Sequence, residues 1–306
     1  MENQRKGYLF IFLTSVFFGI NTIGIRYYYT IFQNELPENV AFWGMGGAFL
    51  LIHPYFLFLS APRGRIITSI KRDGKIITIL AILSTLGAYL WLSGLKLLGA
   101  GPVSLLAKSQ ILFSAFFGIL LLKERLTAFE ITGIAIALPG IYFISALPGE
   151  TKLAHSSVIL FSALIYSFQS MLVKRFAKNL HGAEFTFLRA GLMTIFFGII
   201  FHTQGSLTIP PVSQILFLGF VSVSGLMLGR SFYYEAHKYL DISRLGIGML
   251  FEPVFVLFLS FFILAEQFTS EKIYGAVLIL TGLWMTSLRN IRLQYIPDIL
   301  KKYIFR

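Results

Sequence analysis

The chain contains no cysteine among its 306 residues, which excludes disulfides, thiolate metal sites and a cysteine nucleophile. It also lacks a phosphate-binding G-x-x-x-x-G-K-[ST] loop, which argues against a transporter driven directly by nucleotide. Neither H-E-x-x-H nor G-x-S-x-G occurs, and no two histidines are spaced i, i+4. We therefore expect no metal, no other cofactor and no enzymatic activity.

Charged residues are scarce at 13%, whereas hydrophobic residues make up 56% of the chain. Apolar stretches of about 20 residues recur, and each is long enough to cross about 30 Å of hydrocarbon. The predicted spans are 7–31, 39–60, 76–96, 101–122, 128–147, 156–176, 183–203, 213–239, 244–265 and 270–288. The first is too long for a signal-peptide core and is expected to remain in the mature protein. The sequence thus predicts an all-α, multi-pass protein of the lipid bilayer.

The net charge of +12 is explained by membrane topology rather than by nucleic-acid binding. With the N-terminus inside, nineteen Lys and Arg residues fall in inner segments and four in outer segments. This bias predicts that both termini face the inside. The loops predicted outside contain Asn34, Thr151, Gln204 and Ser270, and those predicted inside contain Arg65, Lys178 and His237.

One segment of the chain is repeated, because Gly94–Gly140 reappears 142 residues later as Ala236–Gly282. Each copy lies within five apolar spans, and a duplicated unit with an odd number of spans must be inverted in the bilayer relative to its twin. We predict two inverted five-helix repeats, 1–150 and 151–290, an architecture typical of transporters. The basic tail 291–306 is either an amphipathic helix on the inner leaflet or a solvated extension.

Four segments resemble the EamA-type branch of the drug/metabolite transporter superfamily. They are FFGINTIGIRY (Phe17–Tyr27), YLWLSGLKLL (Tyr89–Leu98), LLLKERLT (Leu120–Thr127) and FILAEQFT (Phe262–Thr269). The resemblance implies a ten-helix bundle of two inverted repeats around a central cavity, used mainly to export amino acids, related metabolites or drugs. The chain departs from the usual pattern in two places. Span four lacks the midway proline that the second repeat keeps as Pro253, and Gly46 stands where the second repeat has Arg189.

Ionisable residues inside the spans are candidate functional groups, because a charge near the midplane costs at least about 2.5–3.5 kcal/mol. At 1.5 Å per residue, Glu252 and Arg230 lie roughly 12 and 13 Å from the inner face. The shared depth predicts an Arg230–Glu252 ion pair, which either joins spans eight and nine or faces the cavity, where protonation or substrate opens it. Arg189 is an alternative partner, although we expect it to extend to the inner interface.

Lys108 lies about 10 Å below the outer face of span four, and the sequence places no acid at its depth. Two interpretations are open. Its side chain either stretches outward to the headgroups or faces the cavity, where a lone cation would bind a substrate carboxylate or phosphate.

Polar and aromatic side chains complete the predicted substrate site, although the amides could equally hydrogen-bond neighbouring helices and the aromatic rings could be packing. The predicted substrate-binding residues are Asn21, Tyr89, Trp91, Lys108, Gln110, Gln169, Arg230, Tyr234 and Glu252. Outside this site, Glu124 and Glu266 are expected to cap the first turns of spans five and ten.

These features predict an inner-membrane secondary transporter that exports a small metabolite, such as an amino acid, by alternating access. Substrate exchange or a proton gradient would supply the energy, with Glu252 as the titrating group. The alternative is a lipid-headgroup flippase or scramblase, in which Lys108, Arg189 and Arg230 form a phosphate path. That alternative requires a lateral opening between helices.

Overall fold

The computed structural model describes residues 2–58, 60–113, 116–117, 128–145, 150–176, 182–204, 208–236, 239–240 and 248–287. Helices dominate these residues, and no strand occurs among them. The tail 291–306, Glu124, Lys178 and His237 lie outside the described residues, as does the side chain of Tyr234.

The helices follow the predicted spans in order. They are α1 (Glu2–Ile31), α2 (Pro37–Phe58), α3 (Ser60–Leu98), α4 (Ala100–Ala107), α5 (Ala128–Ser145), α6 (Glu150–Phe176), α7 (Gly182–Gln204), α8 (Val212–Ser222), α9 (Arg230–Ala236), α10 (Phe251–Leu264) and α11 (Ser270–Ser287). A π-helical segment, Val223–Gly229, joins α8 to α9.

Several helices have the length and composition of membrane spans. Among the described residues five stretches qualify: Arg5–Ile31, Arg63–Leu98, Ala154–Val173, Glu184–Thr203 and Val212–Tyr233. Large apolar side chains such as Phe58, Phe258 and Phe262 point away from the bundle and are more than half exposed. Such a surface is suited to lipid rather than to water. The protein is therefore an all-helical, multi-pass membrane protein.

Helix α3 is longer than predicted, because it begins at Ser60 rather than near residue 76. The predicted spans leave residues 61–75, which are rich in basic residues, as a connection between spans two and three. No proline lies between Arg63 and Lys96, however, and Lys, Arg and Ile all propagate a helix adequately. Residues 61–75 therefore continue the helix of predicted span three.

Predicted spans four and nine are both interrupted, at positions 142 residues apart. Helix α4 ends at Ala107, and Lys108 and Ser109 form a turn in which their amides donate to Leu105 O and Leu106 O at 3.1 and 3.0 Å. In span nine a turn at Leu250, 142 residues after Lys108, precedes α10. The first break forms without a proline, whereas Pro253 follows the second break.

One hydrophobic core joins the two halves of the chain. It includes buried residues of both, such as Ile23, Leu95, Ile159 and Val256. The helix contacts between the two halves are reciprocal. Helix α1 of the first half packs on α8–α9 and on α10, and helix α6 of the second half packs on α3 and on α4. Likewise α2 packs on α8, and α7 packs on α3.

Helices α5 and α11 cross closely at glycines. A Cβ atom on Gly140 would lie 2.8 Å from Gly275 O and from Ile279 N. A Cβ atom on Gly282 would lie 2.5 Å from Gly133 O and 2.6 Å from Ala137 N. The two contacts are reciprocal. Gly282 follows Gly140 by 142 residues, Gly275 follows Gly133 by the same number, and the two helices exchange roles.

Candidate functional site

An ion pair joins the two interrupted spans inside the bundle. Lys108 Nζ lies 2.6 Å from Glu252 Oε2, and the side chains are only 11% and 12% exposed. Lys108 follows the C-terminus of α4, whereas Glu252 lies in the first turn of α10. Each charge therefore stands at the helix end whose dipole favours it. The two helix ends and the ion pair stabilise one another.

This pairing corrects two predictions. Glu252 does not pair with Arg230, and Lys108 does have an acid at its depth. The predicted depths assumed unbroken α-helices and fixed no direction around the helix axis. The breaks at Lys108 and Leu250 bring the two spans together at the same level, and α4 packs directly on α10.

Arg230 instead lies between two aromatic rings. Its guanidinium carbon is 5.6 Å from the ring centre of Phe18 in α1 and 5.9 Å from that of Tyr166 in α6. Both distances fall within the range of cation–π attraction. No carboxylate of the described residues lies within ion-pair distance of Arg230. The residue follows the π-helical segment directly, and such segments are frequent at functional sites.

Arg189 is buried, with only 2% of its surface exposed, rather than extended to the inner interface. Its guanidinium carbon lies 6.0 Å from the ring centre of Phe185, one helical turn earlier in α7. The predicted extension to the inner interface is wrong, because α7 packs on both α2 and α3 and the side chain is buried within the bundle.

Of the predicted amide ligands, Gln110 belongs to the same region as Arg230. Gln110 Nε2 donates to Ser170 Oγ at 3.1 Å, beside Tyr166 on α6. Asn21 Nδ2 donates to Val221 O at 2.8 Å, and Gln169 Nε2 donates to Leu80 O at 3.2 Å and also to Ser84 Oγ. These bonds link neighbouring helices, and a role for any of the three in binding substrate stays a prediction.

The predicted aromatic residues do not form one cluster with Lys108, Glu252 and Arg230. Tyr89 and Trp91 are partly buried and pack against the central core. Tyr233, the neighbour of the predicted Tyr234, packs on a separate small cluster around Ile11 and Leu240. Tyr166, which was not among the predicted site residues, connects Gln110 with Arg230, because its carbonyl oxygen accepts from Gln110 Nε2 at 3.5 Å and its ring faces the guanidinium. The available signal was its place in the middle of predicted span six, three residues before Gln169.

A second polar cluster closes one end of the bundle, which we call the Glu266 end (residues 26–39, 95–101, 208–214 and 265–269). Glu266 accepts hydrogen bonds from Ala100 N at 2.9 Å and Gly101 N at 3.2 Å, and it pairs with Arg26 Nε at 3.3 Å. It therefore caps α4 in span four. The expected cap on span ten is wrong, because α10 ends in a left-handed residue, Ala265, after which the chain leads Glu266 towards α4.

Two cavities are lined by neither the Lys108–Glu252 pair nor Glu266. One of about 750 Å³ is lined by 70–76, Ile79 and Leu172, and one of about 170 Å³ lies beside Tyr28 and Phe217. Neither contains any of the predicted substrate-binding residues. The candidate site is therefore the packed, charged region around Lys108, Glu252 and Arg230 rather than either cavity.

Comparison with known proteins finds similarity to transporters. The model of the EamA-like transporter family matches residues 5–146 and 155–288. "Uncharacterized transporter YoaV" of Bacillus subtilis (strain 168) is 26% identical over 253 residues, which are 76% of this chain and 82% of that protein. An "Uncharacterized transporter" of Methanothermobacter thermautotrophicus is 22% identical over 299 residues, 91% of this chain and 85% of that protein.

A solved crystal structure of another protein aligns with a TM-score of 0.56 and 19% sequence identity. The alignment covers 95% of this chain and 99% of that chain, so the similarity concerns the whole fold. The family match extends over both halves and agrees with the transporter relatives and with the apolar helices. The chain belongs to the EamA-like transporter family, within the drug/metabolite transporter superfamily.

Proposed function

We propose that this protein is an inner-membrane secondary transporter that exports a small zwitterionic metabolite, such as an amino acid, by alternating access. Its two five-helix halves are inverted repeats that exchange roles during transport. The exchanged contacts support this arrangement, above all Gly140 against Gly275 and Gly282 against Gly133. Reciprocal contacts of this kind are typical of a two-fold axis.

The observation that carries the proposal is the Lys108–Glu252 ion pair at the two helix breaks. Discontinuous helices form the substrate sites of many secondary transporters. A zwitterion carries one carboxylate and one ammonium group, which match the lysine and the glutamate respectively. Substrate entering between them replaces one ion pair with two and avoids leaving either charge unpaired in the membrane.

Arg230 and Gln110 extend the site on the α6 side. The guanidinium is held by aromatic rings rather than by a carboxylate of the described residues, so its charge is available to an anionic group of the substrate. Energy comes from substrate exchange or from a proton gradient. In the second case protonation of Glu252 releases Lys108 and couples the proton to substrate binding.

Transport in proteoliposomes tests the role of the ion pair. We expect Lys108→Gln and Glu252→Gln each to lower uptake of labelled amino acids at least about tenfold, because each leaves one buried charge unpaired. The double variant should regain stability in detergent without regaining transport. Lys272→Gln serves as the matched control, because this lysine lies in the first turn of α11 and donates to Gln267 O rather than to the pair, and the change should leave transport unchanged.

A panel of amino acids, amines and organic anions identifies the class of substrate. Lys108→Arg should keep part of the activity, because the charge persists on a differently shaped group. If both single variants transport every active compound at the wild-type rate, the ion pair is only structural and the proposal fails. Fluorescent lipids in the same liposomes test the alternative, since lipid movement without solute transport would identify a flippase or scramblase.

A further inference from the structure

We propose that the groove between α3 and α6 near Lys75 binds the headgroup of an anionic phospholipid. The groove has a volume of about 750 Å³ and is lined by a basic run, Lys71, Arg72 and Lys75, together with Asp73. Three cations and one carboxylate leave it a net charge of +2. The remaining lining side chains are apolar, namely Ile70, Ile76, Ile79 and Leu172.

The length of α3 places the groove at the edge of the bilayer. Helix α3 has 39 residues and is therefore about 58 Å long, well beyond the ~30 Å of hydrocarbon. No charged residue occurs between Lys75 and Lys96, which lie about 31 Å apart along the helix. These two lysines mark the limits of the hydrocarbon, so Arg72 and Lys71 lie about 4.5 and 6 Å beyond it, in the headgroup layer.

The chemistry of the lining changes at the same level. Lys71, Arg72 and Lys75 are exposed on the headgroup side, where they can contact a lipid phosphate. Ile76, Ile79 and Leu172 lie on the hydrocarbon side and offer a wall to an acyl chain. Basic pockets between transmembrane helices at this depth bind anionic headgroups. A free anion would make no contact with the apolar wall, and a neutral lipid would not be attracted by the net positive charge.

Arg72 also pairs with Asp73, since its Nε lies 2.8 Å from Asp73 Oδ2. That contact holds the guanidinium beside the groove. None of the residues proposed to bind the transported solute lines the groove. The inference therefore rests on the membrane location of the protein and not on its transport activity.

Fluorescence quenching by brominated lipids tests the proposal in the full-length protein. Because the chain lacks cysteine, Ile82→Cys places one fluorophore on the exposed face of α3, one turn from Ile79. Brominated phosphatidylglycerol should associate at least about fivefold more strongly than brominated phosphatidylcholine, as expected for about one effective basic contact. Raising the ionic strength should reduce this preference.

The groove variant Lys71→Gln/Arg72→Gln/Lys75→Gln should bind the two lipids equally. A matched variant, Arg5→Gln/Lys6→Gln/Arg63→Gln, removes three charges from the same predicted side outside the groove and should keep the preference. Unchanged preference in the groove variant, or equal binding of the two lipids by the wild-type groove, would overturn the proposal. Excess glycerol phosphate should not displace the brominated phosphatidylglycerol, and displacement would assign the site to a soluble anion instead.

Discussion

Glu266 shows how one side chain can hold several helices together. Its carboxylate accepts hydrogen bonds from two backbone amides of α4 and pairs with Arg26 of α1. Arg26 in turn donates from Nη1 to Leu95 O and Lys96 O at the end of α3. Gly99 makes this approach possible, because its φ of 91° suits only glycine and a Cβ there would lie 2.6 Å from Glu266 Oε1.

Replacing either residue should loosen the cap of α4. Glu266→Gln loses the charge that the helix N-terminus and Arg26 favour, so we expect a loss of about 0.5–2 kcal/mol in the free energy of unfolding. Gly99→Ala should cost more, because it combines backbone strain with a collision against the carboxylate. Thermal unfolding of the purified protein in detergent measures both effects.

A nearby glutamate provides the control for this prediction. Glu271 lies exposed in the first turn of α11, where solvent screens its charge, so Glu271→Gln should lower thermal stability less than Glu266→Gln does. Equal effects of Glu266→Gln and Glu271→Gln would mean that the cap of α4 adds no more stability than an exposed helix end.

At the scale of whole elements, the close crossing of α5 and α11 depends on glycine. The carbonyl of Gly133 and the amide of Ala137 occupy the space that a side chain at residue 282 would need. Small residues of this kind let transmembrane helices approach at backbone contact. The crossing connects the last helix of the first half with the last helix of the second.

Gly282→Ala should separate these helices and lower the stability of the protein by about 1–3 kcal/mol, because backbone atoms cannot move aside as a flexible side chain can. Gly64→Ala is the matched control, since nothing lies within 4 Å of a Cβ there. In the exposed part of α3 that change should be neutral or stabilising by about 0.5–1 kcal/mol. Unfolding temperatures in detergent compare the two variants, and equal temperatures would contradict the close crossing.

The sequence predicted some elements well and others poorly, for physical reasons. The order of the apolar helices followed from hydropathy, because a run of about twenty uncharged, apolar residues is typical of a membrane-spanning helix. The break at Lys108 was not predictable, since no proline or glycine marks it. The prediction of an Arg230–Glu252 pair was wrong, because the depth of a residue along a helix axis does not fix the direction of its side chain. Glu266 was correctly identified as a helix cap, but only the fold shows that it caps α4.

At the scale of the whole molecule, contacts sort the loops into two groups. Lys96 Nζ donates to Glu35 O at 2.8 Å, and Arg26 contacts Glu266, so these loops share the Glu266 end. Arg65 pairs with Glu184 at the opposite end of α3. The loops of each group must lie on one side of the membrane, and the distribution of basic residues predicts that the Glu266 end faces outside.

Single-cysteine labelling of this naturally cysteine-free chain tests both statements. An impermeant maleimide should label Asn34→Cys and Ser270→Cys in intact cells, because Asn34 is exposed at the Glu266 end and Ser270 is exposed directly after it. Thr68→Cys, exposed near the start of α3, should be labelled only after the cells are permeabilised. Labelling of residue 68 alone would reverse the orientation while preserving the grouping. Labelling of residue 34 without residue 270 would contradict the grouping itself, because the Arg26–Glu266 contact cannot join loops on opposite sides of a bilayer.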